Sequence, residues 1–183
     1  MARFGTKHAG PGCPSHRNAS NCALRAQATP VTAFTPTSSS SNQTFAGDNA
    51  TTASLAPSPL AVAGSNSSFG SVGALDDELR EGSDAASRYL GRVEGLVVQA
   101  DLGNPAAAWT LLTLAFAGGD YNGSTLVLDG RVDFGAAGDM ERAVVGGTGR
   151  FRRARGYSLM TKFGNPTPNT GVFEMDVYVT TMA

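Results

Sequence analysis

Histidine and cysteine, which supply most zinc ligands and many nucleophilic or acid–base centres, are almost absent from this chain of 183 residues. There are two of each, and all four lie near the start of the chain, at His8, Cys13, His16 and Cys22. Their spacing matches no closed zinc site and no apolar core surrounds them. The two cysteines therefore form a local disulfide or stay free thiols, and we expect no metal, no cofactor and no Ser-His-Asp triad.

Excess charge and long apolar runs are also missing. The chain has 14 basic and 15 acidic residues, and neither its first third nor the remainder has the basic excess of a nucleic-acid-binding protein. No stretch reaches the roughly 18 apolar residues of a membrane span. The first thirty residues lack the apolar core of a secretory signal, which is usually about seven residues or longer. We therefore expect no nucleic-acid partner and no membrane association.

Residues 1–68 are crowded with Ser, Thr, Asn and Pro, and we interpret them as a disordered leader that precedes a folded domain at 69–183. Within the leader only Val31–Phe34 and Leu60–Ala63 have the composition of short strands. Glycosylation sequons favour a glycosylated surface segment of a secreted protein, and they occur at Asn18, Asn42, Asn49, Asn66 and Asn122.

From Phe69 onward, short extended runs follow one another with no convincing helix between them. The acidic segment Asp76–Asp84 is not one of these extended runs, and we interpret it as a loop or a single helical turn. Asn122-Gly123 is a strong hairpin signal, and Val172–Thr180 alternates apolar and polar residues. Glycines inside several runs favour a barrel over a sandwich. We predict an all-β fold, an antiparallel barrel of about eight strands, with or without a regular first strand.

The segment from Val144 to Tyr157 (VVGGTGRFRRARGY) joins two such runs through a glycine cluster, which predicts a hairpin. The alternative is a dinucleotide-binding turn. Arg152 stands where its third glycine belongs, and Gly156 interrupts the helix that would have to follow. The hairpin is therefore the better interpretation.

Four motifs in order, FGSVGALDDELREG, GRVEG, GGDYNGSTLVLDGR and MERAVVGGTGRFRRARGY, resemble the plant dirigent proteins over residues 69–179. The resemblance implies a homotrimer of barrels, secreted to the apoplast, with an apolar cavity at one barrel end and no redox centre. It implies binding of phenoxy radicals or quinone methides made by a separate oxidase or laccase, and stereoselective coupling as in lignan biosynthesis. Any activity of its own would be stereo-directing, or of an isomerase or cyclase type. A non-catalytic carbohydrate- or partner-binding barrel in plant defence is the alternative.

The chain departs from the pattern that the resemblance implies. A His-Asp pair usual on the first strand is missing from residues 1–68. Met140-Glu141 replaces an Arg-Glu pair, so that the arginine is lost and the acid kept, and Val97 replaces a common aromatic residue.

Carboxylates, tyrosines and arginines are the remaining candidates for acid–base roles. We assign Asp133 and Glu141 as catalytic candidates and, by resemblance, assign the substrate pocket to Val97, Gln99, Asp133, Met140 and Arg155. Three of these residues have a structural alternative: Asp133 as a solvated loop carboxylate, Glu141 as the ion-pair partner of Arg142, and Arg155 as a barrel or subunit-interface arginine.

A barrel without its first strand would have about seven strands and an open edge beside the Phe69 strand. Leu60–Ala63 is the substitute that we expect. Removing residues 1–56 would then leave the thermal stability nearly unchanged, whereas removing residues 1–66 would lower it.

Overall fold

The computed structural model of the protein describes residues 39–44, 46–60, 68–84, 86–165 and 167–181, and these residues form nine antiparallel strands. Two 3-10 turns, Gly119–Tyr121 and Gly149–Phe151, lie between strands. The strands are β1 Ser39–Thr44, β2 Thr52–Ala56, β3 Val72–Arg80, β4 Tyr89–Val98, β5 Ala107–Phe116, β6 Thr125–Asp133, β7 Met140–Thr148, β8 Arg155–Gly164 and β9 Thr170–Thr180.

Eight of these strands close into a ring. Each strand from β3 to β9 pairs with the next one in the chain, and β1 pairs with both β9 and β3. At the closure, Ser41 is opposite Phe173 on one side and Leu79 on the other. The strand β2 lies outside this ring and pairs with the first half of β3. The prediction of an antiparallel barrel of about eight strands is confirmed.

The start of the barrel differs from the prediction. Two strands, β1 and β2, precede Phe69, so the folded part does not begin there. Leu60 lies in a turn, and residues 61–63 and 31–34 fall outside the described residues, as do all four histidine and cysteine positions. The closing strand is Ser39–Thr44, so the expected open edge and its Leu60–Ala63 substitute are wrong. Its sequence, SSSNQT, contains no apolar residue and therefore gives no alternation that could be recognised.

The acidic segment was also misassigned. Residues 76–80 continue β3 in register with β4, with Asp76 opposite Glu94 and Asp77 opposite Val93. Side chains alternate across a strand, so Asp76 is exposed on the outer face while Asp77 is buried inside the barrel. The loop begins only after Arg80.

An aromatic plug closes one end of the barrel. Phe116 ends β5, Tyr121 lies in the following 3-10 turn, and Phe151 lies in the turn between β7 and β8. Ring centroids of Phe151 are 5.0 Å from Tyr121 and 5.3 Å from Phe116. Around the plug, the inward residues of the strands form one apolar core that includes Leu114, Leu126, Leu128, Val177 and Val179. The apolar face predicted for β9 is buried throughout.

The glycine cluster joins β7 to β8, as the hairpin interpretation predicts. Gly149 has a φ of 60°, and a Cβ there would lie 2.6 Å from the Ser124 hydroxyl oxygen, so the position requires glycine. The second strand starts at Arg155, four residues later than Phe151. No helix follows the cluster, because the chain continues as β8, and this rules out a dinucleotide-binding turn of the βαβ type.

Candidate functional site

A pocket occupies the barrel at the end away from the aromatic plug. Along β5, Phe116 belongs to the plug, whereas Thr110 and Leu112 belong to the pocket. Its empty volume is about 400 Å³, a figure that includes the open mouth. Its lining is Ser41, Gln43, Leu75, Asp77, Val93, Val97, Thr110, Leu112, Phe134, Arg142, Met160, Phe173 and Met175.

A wider and more polar pocket lies next to it, beside β2 and β3. The two pockets share Gln43, Leu75, Val97 and Phe134, so the outer one forms a vestibule to the inner one. The vestibule has an empty volume of about 950 Å³ including open solvent. A ligand that fills the inner pocket can therefore extend into the vestibule.

Asp77 supplies a carboxyl group in the inner pocket. Its side chain is 2% exposed, and the Thr51 hydroxyl donates a hydrogen bond to its Oδ1 at 2.5 Å. Burial raises the pKa of Asp77 to about 6, although the Thr51 hydrogen bond and the positive charge of Arg92 act in the opposite direction. A carboxyl group that titrates near neutrality can both accept and donate a proton.

Arg142 supplies the positive charge of the pocket. It is 3% exposed; its Nε donates to the Thr110 hydroxyl at 2.7 Å and its Nη1 to the Met160 sulfur at 3.2 Å. The Thr110 hydroxyl in turn donates to the Gly130 carbonyl at 3.1 Å. Burial lowers the pKa of Arg142 to about 10, so the guanidinium stays charged at neutral pH. The chain thus keeps an arginine inside the barrel, two residues beyond Met140.

Two of the residues assigned to the substrate pocket line the inner pocket or the vestibule. Val97 borders both the inner pocket and the vestibule, and Gln99 borders the vestibule. The Gln99 Oε1 is buried, and it has no hydrogen-bond partner among the described residues. Met140 is half-buried on the same face of β7 as Arg142, but it is not among the residues that line the inner pocket.

Asp133 lies at the end of β6, outside the pocket lining. Its Oδ2 accepts a hydrogen bond from the Asn104 side chain at 2.7 Å, and its Oδ1 accepts one from the Gly135 backbone at 3.0 Å. Arg131 is 3.7 Å from its Oδ2. These contacts fix the turns at that end of the barrel. Asp133 therefore has a structural role there, although its carboxylate oxygens accept hydrogen bonds from the protein and are not simply solvated.

Glu141 and Arg155 are exposed and lie outside the pocket. Glu141 and Arg142 lie on opposite faces of β7, so they do not form the ion pair that we considered. The Arg155 guanidinium donates to the backbone carbonyls of Val145 and Ala154 at 2.8 and 2.7 Å, which binds the start of β8 to β7. Arg155 is therefore placed as a barrel arginine.

Neither charged residue of the inner pocket was among the residues predicted from the sequence. Asp77 lies between Leu75 and Leu79 on the inward face of β3, and Arg142 shares its face of β7 with Val144. A strict two-residue alternation extended through the acidic segment and backward from the valines would have placed both inside the barrel.

The asparagines of the predicted glycosylation sequons differ in their positions. Asn49 and Asn122 are exposed, Asn42 lies within β1, and Asn18 and Asn66 fall outside the described residues. In the part of the chain that the structure describes, no helix has the length and apolar character to cross a membrane. In that same part, no three His, Cys, Asp or Glu side chains come together as a metal site.

The sequence of this chain is similar to those of known proteins. The sequence profile of the family described as Dirigent-like protein matches residues 41–180, beginning in the segment that we assigned to the leader. Pterocarpan synthase 1 of Glycine max is 36% identical over 115 residues, which cover 61% of this chain and 60% of that protein. Dirigent protein 21 of Arabidopsis thaliana is 34% identical over 134 residues, which cover 73% of this chain and 69% of that protein.

Solved structures agree with the fold. The pterocarpan synthase dirigent protein PsPTS1 superposes with a TM-score of 0.73 at 27% identity, over 85% of this chain and 99% of that one. The pterocarpan synthase dirigent protein GePTS1 superposes with a TM-score of 0.71 at 28% identity, over 80% and 88% of the two chains. The sequence matches to the pterocarpan synthases span about 60% of the length of those relatives.

Proposed function

Because this chain belongs to the dirigent-like protein family, we propose that its inner pocket binds phenoxy radicals or quinone methides made by a separate oxidase or laccase. The pocket holds them in one orientation and so directs the stereochemistry of coupling or ring closure. Coupling of monolignol radicals, as in lignan biosynthesis, is the specific reaction that we test first. The relatives named dirigent protein and pterocarpan synthase support this class of reaction.

One observation carries the proposal: among the described residues that line the largely apolar inner pocket, one has a carboxyl group, Asp77, and its pKa is raised to about 6. Apolar walls orient an aromatic ligand, and a positioned acid–base group typically contributes about 10²- to 10⁴-fold to a proton transfer. Asp77 replaces Asp133 and Glu141 as our catalytic candidate, because neither of those lies in the pocket.

Ring closure of a quinone methide shows how the residues would act. A hydroxyl oxygen of the ligand attacks the methide carbon, and its proton passes to the Asp77 carboxylate as the new C–O bond forms. The electron pair of the exocyclic C=C bond moves through the ring to the carbonyl oxygen, which becomes a phenolate. Arg142, on another wall of the same pocket, stabilises that negative charge, and a proton from solvent completes the product.

The test is chiral analysis of the dimers formed when a laccase oxidises coniferyl alcohol, with and without the protein. We expect an enantiomeric excess with the native protein and a strongly reduced excess with Asp77→Asn. Glu141→Gln is the matched control, since its carboxylate is exposed on the outer face, and it should keep the native excess. Racemic products with the native protein, repeated across several monolignols, would contradict the proposed function.

A non-catalytic carbohydrate-binding role is the second candidate. The polar vestibule favours it, because the buried Gln99 Oε1 lacks a donor that a sugar hydroxyl would provide. Racemic products in the laccase assay together with Gln99-dependent binding of an oligosaccharide would support this role instead.

Secretion to the apoplast, glycosylation and assembly as a homotrimer are further parts of the proposal. Among the sequon asparagines whose exposure the structure describes, Asn49 and Asn122 are exposed, so we expect glycans at these two positions. Removing N-glycans enzymatically from the protein of plant cell-wall extracts should lower its mass, and an unchanged mass would contradict glycosylation.

A further inference from the structure

Arg142 is a buried positive charge with no counter-ion among the residues that the structure describes. No carboxylate of the described residues lies within 4.0 Å of its guanidinium, although five other ion-pair contacts occur on the barrel. Its two side-chain partners, the Thr110 hydroxyl and the Met160 sulfur, are both neutral. Buried charges in proteins are normally paired, because removing an ion from water is costly.

The barrel holds this guanidinium in a fixed place. Thr110 accepts from Nε while it donates to the Gly130 carbonyl, so its hydroxyl has one orientation. A Cβ at Gly130 would lie 3.1 Å from the Arg142 Cα, so the glycine leaves the space that Arg142 occupies. These contacts use the Nε hydrogen and one hydrogen of Nη1. The Nη1–Nη2 edge keeps three donors for another acceptor.

The carboxyl group of Asp77 is not this acceptor. β3 and β7 are separated by three strands in both directions around the closed ring, so Asp77 and Arg142 lie on opposite walls. The cation that acts on Asp77 is Arg92, not Arg142. The Nη1–Nη2 edge of the Arg142 guanidinium is therefore available to bind a ligand in the pocket.

We propose that Arg142 binds an anionic oxygen of the ligand through its Nη1–Nη2 edge, and that the inner pocket therefore binds phenolic acids more tightly than neutral phenols. This inference rests on the proposed function in one respect, namely that the ligand is a phenolic aromatic molecule. A guanidinium binds a carboxylate through two parallel hydrogen bonds. A phenol with the ordinary pKa of about 10 stays neutral at pH 7, whereas a carboxyl group is ionised.

Binding of four probes by calorimetry at pH 7 tests the proposal with the full chain. 4-Hydroxycinnamate has the ring and the carboxylate, and 4-hydroxycinnamyl alcohol has the same ring without charge. Cinnamate carries the carboxylate without the phenol, and 4-nitrophenol is an acidic phenol without a carboxylate. We expect 4-hydroxycinnamate to bind about 10- to 100-fold more tightly than the alcohol, the usual effect of a charge-assisted hydrogen bond.

Two variants connect this preference to Arg142. Arg142→Met should abolish the preference for the acid, and Arg142→Lys should keep part of it. Arg142-dependent binding of cinnamate would support a carboxylate as the anionic oxygen, whereas Arg142-dependent binding of 4-nitrophenol alone would overturn the preference for phenolic acids. Equal affinity of the native protein for acid and alcohol, or an acid preference that survives Arg142→Met, would overturn the proposal.

Thermal unfolding without ligand separates a binding role from a structural one. If Arg142 has a binding role, Arg142→Met removes an unpaired buried charge and should raise the unfolding midpoint. If Arg142 only holds Thr110 and Met160 in place, the same variant should lower the midpoint. A lower midpoint would overturn the proposal. The binding assay is independent of the laccase assay. Racemic products with intact acid binding defeat the proposed function alone, and chiral products with no acid preference defeat this inference alone.

Discussion

Asp77 and Arg142 face the same pocket from opposite walls of the barrel, on strands that are as far apart as a ring of eight allows. Each is almost fully buried, and neither neutralises the other. A ligand that spans the pocket therefore meets a proton acceptor at one wall and a positive charge at the opposite wall. Such an arrangement favours one orientation of an asymmetric aromatic molecule.

The raised pKa of Asp77 predicts how stability depends on pH. The carboxyl group titrates near 3.8 in the unfolded chain and near 6 in the folded one, so the folded state binds more protons between these values. The stability that protonated Asp77 contributes is complete below pH 3.8 and is lost as the pH rises through about 6. Asp77→Asn, which stays neutral, should be more stable than the native protein at pH 7.5 by up to about 3 kcal/mol.

Urea unfolding at pH 4.5 and pH 7.5 measures this difference. The stabilising effect of Asp77→Asn should shrink at the lower pH. Asp120→Asn, at an exposed carboxylate, should show no such pH-dependent gain. An Asp77→Asn protein that is less stable than the native one at pH 7.5 would contradict the assignment of a buried, destabilised carboxylate.

The aromatic plug predicts a separation of stability from ligand binding. Phe151 is buried against Phe116 and Tyr121, so Phe151→Ala should cost about 3–5 kcal/mol of unfolding free energy. Phe134 is 46% exposed at the pocket mouth, so Phe134→Ala should change stability by less than about 1 kcal/mol and weaken ligand binding. Denaturant unfolding and calorimetry check both, and an equal loss of stability in the two variants would contradict the prediction.

The sequence predicted the parts of the barrel in which local signals and burial agree. Asn122-Gly123 marked a hairpin, and the alternation from Phe173 to Val179 marked a buried strand face. The closing strand could not be predicted, because its polar residues are held by pairing on both edges and not by an apolar face. The pocket charges were missed for a related reason: Asp77 and Arg142 interrupt apolar alternation where a binding site needs polar groups.

The closing strand gives a direct test of the barrel. Ser41 lies between β3 and β9, so its N–H faces a paired strand whichever way it points. Ser41→Pro removes that hydrogen bond and should cost about 3 kcal/mol or more. Leu55 is the residue skipped by the register shift between β2 and β3, and it is exposed.

Leu55→Pro is therefore the control and should leave the thermal midpoint nearly unchanged, since bulges tolerate proline. A Ser41→Pro protein with the native midpoint would show that β1 does not close the barrel. Removing residues 1–56 deletes both β1 and β2, so it should lower the thermal midpoint. This reverses the outcome expected from the sequence.

An apolar row on the outside of the barrel predicts self-association. Cross-strand pairing places six outward residues in one continuous row, and the Oδ1 of its acidic member is buried without a partner among the described residues. The row is Leu96, Leu111, Asp129, Ala143, Tyr157 and Tyr178. Exposed apolar area of this kind favours an interface between copies, in agreement with the proposed homotrimer.

Leu96→Glu introduces a charge into this row and should convert the assembly to monomers. Leu102→Glu is the matched control, because Leu102 is 70% exposed in the turn after β4 and lies outside the row. Light scattering coupled to size exclusion measures the masses. We expect a trimer for the native protein and for Leu102→Glu. A native protein that is monomeric at micromolar concentration, or a Leu96→Glu protein that stays trimeric, would show that the row does not form the interface.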